Sequence, residues 1–139
     1  MSLSAGPVHA RPVASKTGQR RTGDELEGRH RLRIAEICPP WIAVPPKGYG
    51  GIEWVVALLA DGLAEAGHDV TLFATGDSQT KARLEYVFEQ APGSAAINDI
   101  VLDTTHTLFS LQHAAERFDV LHVHSPFSTL AASVETGVP

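Results

Sequence analysis

The hydrophobic positions of this chain change period several times, and each change marks an element. Leu32, Ile34, Ala35, Ile37 and Cys38 form a short apolar run, with the length and β-branched content of a strand covered on both faces. Pro39, Pro40, Pro45 and Pro46 can continue neither ladder nor helix, so the chain leaves the sheet there and wanders until Gly48, Gly50 and Gly51. From Ile52 the apolar residues Val55, Val56, Leu59 and Leu63 recur at helical spacing, and Gly67 suits the left-handed closing position. Asp69 to Ala74 then reads as a second strand through Val70, Leu72 and Phe73.

Further on, Leu84 to Phe88 predicts a short third strand, broken by Ala91, Pro92, Gly93 and Ser94. Ile97, Ile100, Val101, Leu108, Leu111, Ala115 and Phe118 fit a helical stripe. Val120 to Val123 returns to strand period, and Leu130, Ala131 and Val134 predict a last helix with Gly137 just past its end. Strands alternating with helices predict an α/β fold with a parallel sheet flanked by helices. Val138 and Pro139 stand where the next parallel strand should begin, so the sheet is expected to be incomplete.

A strand, helix, strand unit of this kind is right-handed and parallel, which puts the glycine loop at the carboxyl edge of the sheet and the amino end of the helix. Unpaired N–H groups and the helix dipole favour anions there, and glycine lets a phosphate approach the main chain. The same glycines also suit a plain turn, so two readings stand for Gly50 and Gly51. The polar loop Thr75, Gly76, Asp77, Ser78 faces the same crevice. Asp77 suits a ribose hydroxyl, as acidic residues after a second strand do, and the Asp77 to Thr80 stretch equally suits a helix cap.

His122 and His124 alternate with Leu121 and Val123 and so share one face of a strand. Such a pair can ligate one metal ion, but a third and usually a fourth ligand are needed. His106 and His113 lie on the preceding helix, and Asp119 is at the wrong end of the strand. No tight cluster completes the site, and no metal is assigned. His124, nearest the carboxyl edge, is the functional candidate, and His122 is expected to be a buried, satisfied histidine. The nicotinamide fingerprint fits poorly, because the proline loop is long and no third glycine follows. The phosphate-loop ATPase motif and the Gly-x-Ser-x-Gly hydrolase elbow are absent.

A chain of 139 residues supports one domain with a real core. Its net charge is −5, yet most of the positive charge lies between Arg11 and Arg33, which leaves the remainder clearly acidic. That field opposes nucleic acid as a partner of the folded part. Residues 1–31 are interrupted throughout by Gly and Pro and are expected to be a disordered basic extension, with the domain at 32–139. Cys38 is the single cysteine and reads as a packed thiol. No apolar run is long enough to span a membrane. The amino end lacks a secretory pattern, so a cytoplasmic location is the simplest expectation.

The stretch Pro-Pro-Lys-Gly-Tyr-Gly-Gly-Ile-Glu at Pro45 to Glu53, then Leu63 to Ala74, then Phe-Asp-Val-Leu-His-Val-His-Ser at Phe118 to Ser125, closely resembles the amino-terminal domain of family 4 glycosyltransferases. The resemblance implies half of a GT-B enzyme, in which two Rossmann-like domains face a cleft and transfer sugar from a nucleotide-sugar to an acceptor with retention. It implies that Gly50 and Gly51 lie beside the donor diphosphate, and that Glu53, Asp77, Ser78 and His124 lie on the acceptor side or rim of the cleft. The nucleotide-sugar is a substrate, so no cofactor is implied. The family's catalytic-region histidine is expected beyond Pro139, as is the carboxyl-terminal domain with paired glutamates that holds most of the donor. No residue here is therefore assigned a catalytic role, and the chain alone is expected to be inactive. Two alternatives stand beside this one. One is a non-catalytic Rossmann-like interaction module that pairs, or self-associates, through the unfinished sheet edge. The other is a fragment of a metal-dependent hydrolase using His122 and His124.

Overall fold

The computed structural model describes residues 30–114 and 117–125. Strand β1 (Arg33–Ile37) is followed by helix α1 (Gly51–Glu65), β2 (Asp69–Ala74), β3 (Arg83–Tyr86), a 3-10 turn (Ser94–Ala96), α2 (Ile100–Ala114) and β4 (Val120–Val123). The strands form one sheet in the order β3-β2-β1-β4, and every pairing is parallel. This is the expected α/β Rossmann-like arrangement. The third strand begins and ends earlier than its apolar pattern suggests. The extension up to residue 29 and the helix expected at Leu130 to Val134 lie outside the described residues.

Alternation along β1 and β2 divides the core between the two faces of the sheet. Cys38, Leu72 and Ala74 pack against Val56 and Ala57 of α1, and Ile34 and Val70 pack against Ala60. On the opposite face Ala35, Ile37 and Phe73 meet Leu111 and Ala114 of α2 together with Phe118. The rings of Phe73 and Phe118 meet edge to face, with centroids 6.1 Å apart, a favoured aromatic geometry. At the amino edge Arg33 clamps β1 to β4: its side chain lies 2.7 Å from Asp119 Oδ1 and its amide donates to Oδ2 at 2.8 Å. These bonds from Arg33 hold the Asp119 carboxyl down to about 2.

Both helices bury a different face from the one their largest apolar residues predict. On α1, Ile52 and Val55 are exposed, and the buried row is Glu53, Val56, Ala57 and Ala60. Two of these are alanines, whose small side chains let the helix axis approach the sheet closely. On α2 the departure is larger. Ile100, Val101 and Leu108 are exposed, whereas Asp103, His106, Thr107 and Ser110 are buried. Of the stripe's described residues, Leu111 and, past the helix, Phe118 are buried, and together with Ala114 they reach Phe73; Ala115 lies outside the described residues.

Adjacent residues on α1 separate the two assignments of its face. Val56 is fully buried and Val55 is 57% exposed. Val56→Ala should lower the unfolding free energy by about 2 kcal/mol, and Val55→Ala should change it by less than about 0.5 kcal/mol. Urea unfolding measures both, and equal losses would mean that the helix is turned the other way.

Candidate functional site

Parallel connections deliver four segments to one edge of the sheet: the loops after β1, β2 and β3 and the end of β4. The first is the proline-rich stretch between β1 and α1. Pro39 and Pro40 are fully buried, and the Val44–Pro45 peptide bond is cis. The second loop holds the first in place. Val44 donates its amide to Ser78 Oγ at 2.9 Å, and Gln79 donates its own to the Val44 carbonyl at 2.6 Å. Gly93 adds a third tie, to the Trp41 carbonyl at 2.8 Å.

This loop ends at the amino terminus of α1. A Cβ at Gly50 would stand 2.7 Å from Pro46 Cβ and 2.9 Å from Glu53 Oε2, so only glycine fits there without movement. A Cβ at Gly51 would meet nothing within 4 Å. The first helical bond runs from the Trp54 amide to the Gly50 carbonyl, and no side chain caps the helix. The amides of Gly51, Ile52 and Glu53 are thus left without helical acceptors. Beside them a hollow of about 180 Å³ opens between Trp41, Tyr49, Gly51, Glu53 and Ile97. It is smaller than the roughly 300–1,000 Å³ of a pocket that swallows a whole ligand, and its lining is mostly apolar with Glu53 as the charged side chain. A larger groove of about 560 Å³ follows the outer flank of α1. There Asp61 bonds Thr80 and Glu65 pairs with Lys81.

The expected site residues occupy different positions along this edge. Gly51 lies in the open and Gly50 is buried beneath Pro46. The Glu53 side chain is buried in the first turn of α1, where a carboxylate complements the dipole. Asp77 is exposed and accepts the Ala91 amide at 3.1 Å. Ser78 is turned inward, its hydroxyl engaged by Val44. His124 sits just past β4 with its amide bonded to the Ile37 carbonyl.

One residue of this region escapes a reading for apolar periodicity. Glu36 lies in the middle of β1 and is fully buried. Its strand position gives it the α1 face, with Ile34 and Cys38, and the register pairs it with His122. His124 Nε2 lies 2.8 Å from Glu36 Oε2, and His122 Nδ1 lies 3.2 Å from the same oxygen. The two imidazoles lie over one another with centroids 4.1 Å apart. The signal was a lone carboxylate in a strand otherwise apolar enough to be covered on both sides.

The histidines reverse the expected exposure. The His122 side chain is 48% exposed and that of His124 only 11%. Among the described residues α1 packs on β1 and β2 and meets β4 at Val120, and the His122 ring is left half-exposed. Cys38 is the inert thiol expected, since burial pushes it well up and the Glu53 and Glu36 carboxylates add to the effect.

On the other face, His106 of α2 is fully buried, and among the described residues neither ring nitrogen has a partner in hydrogen-bonding geometry. Burial lowers it to about 4, against the opposing influence of the Phe73 carbonyl, the Asp103 carboxylate and the Cys38 carbonyl. Ser125, just past β4, donates to Asp103 Oδ2 at 2.7 Å and ties the start of α2 to this same edge.

The sequence profile of the family described as Glycosyltransferase Family 4 matches residues 49–139. The match takes in the amino end of α1, His122 of β4 and His124 just past it, and β1 with Glu36 lies before it. No curated protein matches the chain.

His106 makes stability depend on pH with a definite sign. The native ring stays neutral down to about 4, whereas the unfolded one takes a proton near 6.5, so protons favour the unfolded chain between those values. Stability should be constant above about pH 7 as far as this group is concerned. It should fall by up to about 3 kcal/mol on acidification and level off below about pH 4. His106→Leu should flatten that step in urea unfolding measured from pH 4 to 7.5. An unchanged profile would remove His106 as its source.

Proposed function

The chain belongs to glycosyltransferase family 4, as an amino-terminal domain, and from that membership and its loop geometry we propose that it forms the acceptor-side wall of a nucleotide-sugar-dependent transferase. In this reading the cleft is of the GT-B kind, closed by a carboxyl-terminal domain, and the sugar is transferred with retention. The observation that carries the proposal is the amino end of α1. Three amides lack helical acceptors there, Gly51 has open space where a Cβ would stand, and a hollow adjoins them.

As the bond between sugar and diphosphate breaks, negative charge grows on the departing oxygens. Fixed N–H groups at a helix end meet that charge without having to reorganise. Gly50 lets the chain turn tightly under Pro46, and Gly51 lets a phosphate reach the main chain. Glu53, Asp77 and His124 border the acceptor side, and Ser78 keeps the loop in position through Val44. The base, the ribose and much of the diphosphate need the other wall of the cleft, so the chain by itself binds donor weakly and does not turn over. A second reading, a non-catalytic interaction module, draws on the exposed Trp54, Val55 and Leu58 of α1, an apolar row of the sort that marks contact surfaces.

Two neighbouring glycines decide between the readings. Gly50→Ala should cost about 1–3 kcal/mol of stability because the new methyl collides with Pro46 and Glu53. Gly51→Ala should leave stability unchanged or raise it by up to about 1 kcal/mol through helix propensity. It should nonetheless cut sugar transfer about ten-fold or more when the chain is combined with a complementary carboxyl-terminal domain, by keeping the diphosphate off the amides. Thermal melts and transfer of labelled sugar read the two effects. Full transfer by Gly51→Ala, or robust transfer by the chain without its complement, would overturn the proposal.

A further inference from the structure

Glu36, His122 and His124 bring one carboxylate oxygen and two ring nitrogens within 4.8 Å of one another. The geometry points to a binding site for a divalent transition metal of the zinc class, held by Glu36, His122 Nδ1 and His124 Nε2, with water in the fourth position.

The sheet itself assembles this donor set. Parallel pairing sets Glu36 beside His122, and the two-residue period of the strand turns His124 to the same face. Glu36 and His122 are therefore fixed by the strand ladder, and His124, just past β4, by its amide bond to the Ile37 carbonyl. The Glu36 carboxylate is fully buried, and among the described residues its partners are the two imidazoles alone, with no Lys or Arg. A buried carboxylate needs compensating charge or several donors. A neutral imidazole offers a single N–H, whereas a dication answers the charge outright and takes the nitrogen lone pairs as well.

Two nitrogens and one carboxylate oxygen form the three-ligand set of an open zinc site. Donors around a tetrahedral ion stand about 3.3 Å apart for bonds of about 2.0–2.1 Å. The contacts of 2.8 and 3.2 Å to Glu36 Oε2 would open by about half an ångström or less to admit the ion. The 48% exposure of the His122 side chain provides both an entry path and the place for water. His106, which is fully buried on the α2 side, takes no part.

The 139-residue chain, freed of metal with a chelator and dialysed, is titrated with cobalt(II) and then with zinc(II). One cobalt should bind per chain, giving the intense visible absorption of a four-coordinate ion that zinc then abolishes. Zinc alone should raise the melting temperature. Glu36→Gln and His122→Ala should each weaken binding at least about ten-fold and abolish the rise in melting temperature, and His113→Ala should do neither. His122 is half-exposed, so its variant keeps the test decisive if Glu36→Gln fails to fold. Absence of binding at about 100 µM metal, or binding that survives both ligand variants, would overturn the assignment.

Discussion

The parallel seating of β1 between β2 and β4 is the constraint from which the rest follows. Each flanking strand takes its register from this one: Ile34 stands opposite Val70 on one side and Val120 on the other, and Ile37 opposite Phe73 and Val123. A parallel pair cannot be closed by a tight turn, so every connection crosses over a face of the sheet and returns. The loops that follow the strands are thereby collected at one edge, although they are far apart in sequence. The Val44 to Ser78 and Gly93 to Trp41 bonds then make that edge a single rigid rim.

Two electrostatic features of opposite sign lie along this rim. The amino end of α1 presents N–H groups without acceptors, a fixed partial positive charge. Glu53 and Glu36 place carboxylates nearby, and both act on the Cys38 thiol. The protein therefore does not offer a broad positive basin for anions, which agrees with its overall acidity. It offers a few aligned dipoles with acidic groups behind them. Such a rim selects by geometry more than by net attraction, because an anion gains only where it can touch the amides directly.

How far the chain discloses this arrangement depends on the kind of signal. The strand boundaries at Asp69–Ala74 and Val120–Val123 and the turn into α1 at Gly50 were legible, because β-branched runs and glycines report on the backbone locally. The faces of the helices were less legible. Periodicity finds the largest apolar residues, and in α1 the sheet accepts Ala57 and Ala60 in preference to Ile52 and Val55 for reasons of distance, not hydrophobicity. Glu36 was hidden for a related reason. Its partners lie more than eighty positions away, and only the register of β4 beside β1 shows that a carboxylate and two imidazoles share one face. The inward turn of Ser78 was likewise invisible, since its partner is an amide within the proline loop.

Helix α2 carries this reasoning furthest. Its carboxyl-terminal half is held by Leu111 and Ala114 against Phe73, a conventional apolar contact. Its amino-terminal half buries Asp103, His106 and Thr107, and the buried Ser110 hydroxyl one turn on returns to the His106 carbonyl of its own helix at 2.8 Å. Burying such groups costs free energy unless they are bonded, and among the described residues the His106 ring meets no partner in bonding geometry. The carboxyl end is therefore held by apolar contact and the amino end by polar bonds, with Asp99 accepting from the Val101 and Leu102 amides. That end adjoins Ile97, which lines the hollow beside Gly51, and it is tied to β4 through Ser125 and Asp103. The polar end of α2 thus lies beside the candidate site.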